Sequence, residues 1–393
     1  MQQAIFGLKM EAPKTLTPDI RPKVIDLFCG CGGFSLGAAR AGFNVVAGVD
    51  LDSHAIATHK RNFRKSRHLE LDLAKTGSDE LMQLAGIKAD ELSGIIGGPP
   101  CQGFSAMGSN NTDDPRNKLF NRFFELVAEI SPDFFVCENV PGLLRANYDP
   151  IRAEALKIVD DEYLVIGPMK LKASDYGAPT IRTRAFFVGT KRKLHLSLKA
   201  EDFLPDLSIP TTNVGRALAG LPRKISEKWQ DEDDGWRKIN TQEQGDYFYK
   251  RLGGLIPPGL GDRESKKRLK EDFRVSGCLG TVHQTNVITR FSAVPGGKSD
   301  KISRAPRLAL DGFCPTLRAG TGSDRGSYQA VRPIHPTENR VITPREAARL
   351  QGFPDWFRFD RTKWHSFRQI GNSVSPLVSE FILRVISKQI NKY

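Results

Sequence analysis

Cys101 sits in the stretch Gly97-Gly98-Pro99-Pro100-Cys101-Gln102-Gly103-Phe104-Ser105, behind two prolines and ahead of a glycine. Proline locks its own φ and narrows the residue before it, so the backbone leading to this thiol is stiff. Packing alone explains such a thiol poorly, and its placement is that of a nucleophile. A carboxylate follows in Glu138-Asn139-Val140, and two guanidinium groups follow in Arg182-Thr183-Arg184. The i, i+2 spacing puts both arginines on one side of an extended chain, where they would favour a thiolate over a thiol. A cysteine hydrolase would instead need a histidine to activate the sulfur. No motif ties any of the seven histidines to Cys101.

A second group of residues has the chemistry of a binding turn. Asp26-Leu27-Phe28-Cys29-Gly30-Cys31-Gly32-Gly33-Phe34-Ser35-Leu36-Gly37 is rich in glycine, which lets backbone approach a ligand closely. No Lys-Ser or Lys-Thr follows the glycines, so this is not a phosphate-cradling P-loop. Asp50 and Asp72 end later apolar runs. The first is placed to accept from ribose hydroxyls and the second from an adenine amino group, which points to a nucleoside cofactor.

The elements that must position these groups alternate between strand and helix. Val24–Phe28 predicts a strand, a helix runs to Gly42, and 45–50 predicts the next strand. Helices are expected over 52–62, 80–84 and 118–130, with strands over 69–71, 94–97 and 134–137. In the 118–130 helix Leu119, Phe123, Leu126, Val127 and Ile130 share one side. Residues 184–189 form a further apolar run. This order implies an α/β fold with a mostly parallel, doubly wound sheet, and it sets the candidate groups at strand ends, where such sheets bind ligands.

Regularity fades over about 200–315, which is rich in Gly, Pro and charge and holds short strand candidates such as Val287-Ile288-Thr289. It returns at Thr343-Pro344-Arg345-Glu346-Ala347-Ala348, a proline-led helix start, and a closing helix is expected over 376–388. A length of 393 residues favours two lobes. The net charge of +13 favours a polyanionic partner. Eleven Lys or Arg against five Asp or Glu between Gly259 and Arg307 carry that excess into the middle region. The six cysteines, at 29, 31, 101, 137, 278 and 314, form no CxxC pair, so neither a zinc site nor a disulfide framework is expected. No apolar run reaches membrane-spanning length and no signal-peptide core is present, so a cytoplasmic protein is expected.

Taken together, the motifs resemble the cytosine-5 DNA methyltransferase family along nearly the whole chain. The 26–37 segment resembles the family's cofactor motif, Pro99-Pro100-Cys101-Gln102 its nucleophile motif, Glu138-Asn139-Val140 its acid motif and Arg182-Thr183-Arg184 its paired-arginine motif. Arg345-Glu346-Ala347-Ala348-Arg349-Leu350-Gln351-Gly352-Phe353-Pro354 and Gln369-Ile370-Gly371-Asn372-Ser373-Val374-Ser375-Pro376 resemble the last two. Four positions depart from the pattern. Thr180 stands where a glutamine is usual, Asp50 where glutamate is common, and Cys29 and Ser373 where alanine is frequent.

The resemblance implies a Rossmann-like methyltransferase sheet over 20–190, completed by 340–393, and a loop-rich target-recognition domain over 191–339. It implies S-adenosylmethionine as cofactor, double-stranded DNA as partner and no metal. Cys101 would add to carbon 6 of a cytosine rotated out of the duplex, Glu138 would protonate N3, Arg184 would hold the carbonyl, and Arg182 would support the thiolate. The cofactor would be held by Asp26, Phe28, Gly30, Gly32 and Gly33 from the first turn, with Asp50, Leu51, Asp72 and Leu73 from the next two strand ends. Pro100, Leu119, Asn372, Ser373 and Val374 would complete that pocket. Lys266, Lys267 and Arg268 are candidate phosphate contacts. A monomer is expected, with a restriction nuclease or phage-defence system as a possible companion. Two rivals share the fold. RNA methylation is disfavoured by the length of the variable region, and a binding module without catalysis is disfavoured by intact nucleophile and acid motifs.

Overall fold

Strand β1 (Lys23–Leu27) carries an almost continuous apolar run, because helices cover it on both sides. Val24 joins one hydrophobic cluster while Ile25 and Leu27 join another on the opposite face. The computed structural model describes residues 21–100, 118–225, 233–244, 247–254, 256–319 and 332–390. Around β1 the sheet is built from β2 (Asn44–Asp50), β3 (Arg67–Glu70), β4 (Leu92–Gly97), β5 (Phe134–Asn139), β6 (Tyr163–Lys172) and β7 (Thr183–Lys191) in the order β3-β2-β1-β4-β5-β7-β6. The first five run parallel, whereas β7 lies antiparallel between β5 and β6. The expected doubly wound sheet therefore has an antiparallel hairpin at one edge.

One face carries α1 (Gly33–Arg40), with α2 (Ser53–Asn62) following β2; the other carries α3 (Ser78–Ala85), α4 (Lys118–Ile130) and α5 (Asp149–Lys157). The α4 helix has the bounds expected from its periodicity, and Phe120, Phe123, Phe124, Leu126, Val127 and Ile130 bury its apolar side.

Beyond β7 come α6 (Val214–Leu218), β8 (Arg237–Lys238), α7 (Tyr247–Gly253), α8 (Arg263–Asp272), β9 (Arg274–Val275) and α9 (Thr285–Ser292), with β8 and β9 paired antiparallel. The chain then returns through α10 (Pro344–Leu350), α11 (Lys363–Asn372) and α12 (Pro376–Ile390). Val214, Ala217, Phe248, Leu252 and Val275 belong to the same buried cluster as Leu377 and Ile382 of α12, so this region is anchored on the sheet's α1 face. By contrast, Phe291, Val294, Ala305 and Ile334 form a small core of their own.

Val287-Ile288-Thr289, a strand candidate from its β-branched residues, lies inside α9 instead. Val287 and Phe291, four residues apart, pack on that small core, and tertiary burial overrides the weak local preference. The proline-led start of α10 is as expected. Thr343 Oγ1 accepts the Glu346 N–H at 3.3 Å while Glu346 accepts the Thr343 N–H at 2.6 Å, a reciprocal cap.

Candidate active site and cofactor cleft

The glycine turn after β1 is organised by carboxylates at two adjacent strand ends. Gly30 N–H donates to Asp50 Oδ2 at 2.8 Å, and Asp52 N–H donates to Asp50 Oδ1 at 2.9 Å. Asp26 lies beneath, 1% exposed, with Oδ2 accepting from the Ser35 N–H at 3.0 Å and the Ser35 hydroxyl at 2.5 Å. Burial pushes the Asp26 carboxyl up to about 7, against the opposing Ser35 bonds. Burial also raises Asp50, opposed by the Asp52 and Gly30 amides.

Three features of this cleft suit a ligand with an apolar ring and polar edges. Asp26 Oδ1 is buried without a hydrogen-bond partner among the described residues. An added Cβ on Gly30 would meet nothing within 4 Å among the described residues. Leu51, just past β2, is 66% exposed. Phe28 takes a left-handed φ of 59° and packs its ring at the edge of the core beside this turn. Asp72 accepts from Ala74 N–H at 3.1 Å and pairs with Lys75 at 3.4 Å, and Leu73 behind it is buried.

The C-terminal segment closes on the same turn. A Cβ on Gly33 would lie 1.9 Å from Ser373 Oγ and 2.4 Å from the Val374 carbonyl, so only glycine fits. A Cβ on Gly32, where φ is 100°, would strike the Phe63 ring at 2.3 Å. Gln351, just after α10, donates to the Ser373 carbonyl at 2.8 Å. Asn372 is exposed, Ser373 and Val374 are buried, and Leu119 at the start of α4 is half-buried.

Two strands away from β1, Glu138 lies at the end of β5 and Arg184 on neighbouring β7, with Nε 2.8 Å from Glu138 Oε1. The other oxygen looks towards the chain leaving β4, because a Cβ on Gly98 would lie 2.9 Å from Glu138 Oε2. Pro100 is half-buried. Cys101 and the Gln102–Ser105 stretch lie outside the described residues.

Arg182 is used differently from Arg184. Only 2% exposed, it donates through Nη1 to the Leu317 carbonyl at 3.2 Å and through Nη2 to the Asn372 carbonyl at 3.4 Å. Burial and the nearby Arg184 hold it well below the usual guanidinium range, with Glu138 opposing. It joins the end of the middle region to the last motif. Thr180, in the usual glutamine position, donates to the Cys314 carbonyl at 3.0 Å, and the backbones of 180 and 314 bridge in parallel.

Several contributors carried no clear signal. Ser35, His59, Gly98 and Leu317 support the named residues, with Ser35 Oγ 3.0 Å from His59 Nε2. A histidine on an apolar helix face reads as core in any sequence. The candidate phosphate contacts are partly engaged: Lys266 donates to Leu260 O at 2.7 Å, while Arg268 pairs with Glu264 at 2.7 Å and stacks 4.5 Å from Trp236. Lys267 is exposed and lies 3.9 Å from Glu271. Among the described residues no cluster of His, Cys, Asp or Glu is arranged to hold a metal ion.

A Rossmann-like sheet with a glycine turn at one strand end and a Glu-Arg pair at another defines a methyltransferase-type α/β protein. The model of the C-5 cytosine-specific DNA methylase family matches residues 22–388. The chain belongs to that family, and its activity is that of a DNA cytosine-5 methyltransferase. It is 40% identical over 379 residues to type II methyltransferase M.XorII of Xanthomonas oryzae pv. oryzae, covering 95% of this chain and 86% of that one. It is 30% identical to type II methyltransferase M.DdeI of Desulfomicrobium norvegicum, covering 93% and 88%. Among solved structures, it is similar to an E. coli protein described as a DNA modification methyltransferase encoded within a prophage. The TM-score is 0.84 at 49% identity, covering 94% of this chain and 99% of that one. The S. pombe Dnmt2 methyltransferase, at 15% identity and a TM-score of 0.60, shares the fold.

Proposed function

We propose that this chain methylates carbon 5 of cytosine within a specific duplex DNA sequence, through a covalent bond between Cys101 and carbon 6 of an extruded base. The observation that carries the reading is the Glu138–Arg184 pair, which leaves Oε2 facing the chain that leads through Pro100 to the thiol. Carbon 5 is too electron-poor to attack a methyl donor unaided, and sulfur addition at carbon 6 supplies the missing density. The negative charge that then builds on the ring is relieved at N3 by a proton from Glu138 and at the carbonyl by Arg184. Arg182, already spent on two backbone carbonyls, holds the arginine strand against the last motif and adds positive potential. After transfer, loss of the carbon 5 proton to a base expels the thiolate and restores the ring.

The donor is S-adenosylmethionine, which supplies an electrophilic methyl group when bound. Asp50 and Asp72 would accept from its ribose and adenine, Phe28 and Leu51 would flank the ring, and Gly30, Gly32 and Gly33 would admit it. Asp26, Leu73, Pro100, Leu119, Asn372, Ser373 and Val374 would shape the rest of the cleft. Extrusion of the base costs a few kcal/mol, and residues 191–339 as a target-recognition domain would recover it through DNA contacts. The relatives named type II methyltransferases support a place beside a restriction nuclease or in phage defence. No helix among the described residues is long and apolar enough to cross a membrane.

Bisulfite sequencing of DNA from cells expressing the chain tests this directly. Protected cytosines in one sequence context are expected with wild type and none with Cys101→Ala. Methylation retained by Cys101→Ala defeats the assignment of the nucleophile.

A further inference from the structure

Away from the catalytic cleft, residues 296–307 fold into a hairpin. Ser299 bridges Pro306 antiparallel, Arg307 N–H donates to Lys298 O at 2.7 Å, and Asp300 N–H donates to Ala305 O at 2.9 Å. Asp300 is only 1% exposed, and its carboxylate accepts from Ser303 N–H at 2.7 Å, Ser303 Oγ at 2.6 Å and Arg290 Nε on α9 at 2.8 Å. The tip's single acid is thus turned inward and neutralised. Lys298, Lys301 and Arg304 are exposed around Ile302, itself 65% exposed, and none of the three cations forms an ion pair among the described residues.

The base of the hairpin is equally fixed. Arg307 is buried and donates to the carbonyls of His335 at 2.9 Å and Phe291 at 2.6 Å, and to Asn339 Oδ1 at 2.8 Å. Its backbone bridges Ile334, which bridges Val341 in turn. A tip ordered before binding loses little entropy on contact. Ile302 stands in solvent as an apolar group among three cations, and the charge of those cations complements a polyanion. Ten residues separate Arg304 from Cys314, which bridges Thr180 two residues before Arg182, so the tip stays within roughly 35 Å of that bridge, about one turn of duplex.

We propose that the 298–304 tip enters a groove of the substrate duplex, with Lys298, Lys301 and Arg304 on phosphates and Ile302 against base edges. The proposal rests on the reading of 191–339 as the target-recognition region, and it names the element that reads. A cation on a phosphate sets affinity without sequence, whereas an apolar side chain against a thymine methyl or base edge sets preference. The two kinds of residue therefore have separable effects.

The test uses the full chain and a short duplex carrying the site that it methylates. Lys298→Ala/Lys301→Ala/Arg304→Ala should lower the salt slope of duplex binding by about 0.9 per phosphate contact, up to about 2.7. Melting temperature and cofactor affinity should match wild type. Ile302→Ser should keep the salt slope and change which near-cognate sequences become methylated. Unchanged slope in the triple variant together with unchanged site preference in Ile302→Ser overturns the proposal. So does a slope change seen with a folded RNA of similar length and not with the duplex. A wild-type chain that methylates no duplex defeats the underlying reading, and that result is visible before any variant is made.

Discussion

Glu138 offers its two oxygens to different partners, Oε1 to Arg184 at 2.8 Å and Oε2 towards the chain running to Cys101. Removing the carboxylic acid while keeping its shape should therefore affect chemistry alone. Glu138→Gln is expected to slow single-turnover methyl transfer by about 10²–10⁴-fold, with cofactor affinity unchanged in equilibrium titration. The candidacy of Cys101, Glu138, Arg182 and Arg184 was legible from residue type and spacing, and the fold sets Glu138 and Arg184 2.8 Å apart. The division of labour between the arginines was not, because it depends on which carbonyls, Leu317 and Asn372, the fold delivers to Arg182. Asp26 gives a residue-scale pH effect. Its folded value of about 7 lies above its ordinary 3.8, so the stability it contributes is complete below pH 3.8 and is lost as pH rises through 7. About 4 kcal/mol is the upper scale of that loss. Asp26→Asn should flatten this part of the curve of urea midpoint against pH. An identical slope in the variant would show that Asp26 does not titrate there.

At the scale of elements, β1, β2, β4 and β5 were readable because their apolar runs are buried on both faces. Strand β6 was not, since it lies at the sheet edge with a mixed burial pattern and a Gly167-Pro168 interruption. In α9 a β-branched run suggested a strand, and only the distant Ala305 and Ile334 settle it as helix. The contact between α1 and the last motif makes a sharp prediction. Gly33→Ala places a methyl 1.9 Å from Ser373 Oγ, so overpacking should cost about 1–3 kcal/mol and weaken cofactor binding. Thermal melting and cofactor titration read the two effects. Gly98→Ala should instead displace Glu138 and slow transfer while leaving cofactor affinity intact. Equal effects of the two variants on cofactor affinity would contradict the separation of cleft from acid.

For the whole molecule, a net charge of +13 was visible from composition, and the sequence pattern showed a less regular stretch over about 200–315. Hidden in the sequence was how that region is anchored, because α6, α7 and β9 join the core beside α12 across separations of more than a hundred residues. If 191–339 chooses the target, exchanging that stretch with a relative's should move the methylated sequence, read by bisulfite sequencing. An unmoved site would place recognition elsewhere. The central claim is that the Cys101 sulfur bonds to carbon 6 while the base stands outside the helix. A duplex carrying 5-fluorocytosine at the target tests it most directly, because fluorine at carbon 5 blocks the elimination that frees the enzyme. With cofactor present, the account predicts a denaturant-resistant protein–DNA species for wild type and none for Cys101→Ala. Absence of that species in wild type, under conditions where the ordinary duplex is methylated, would contradict it.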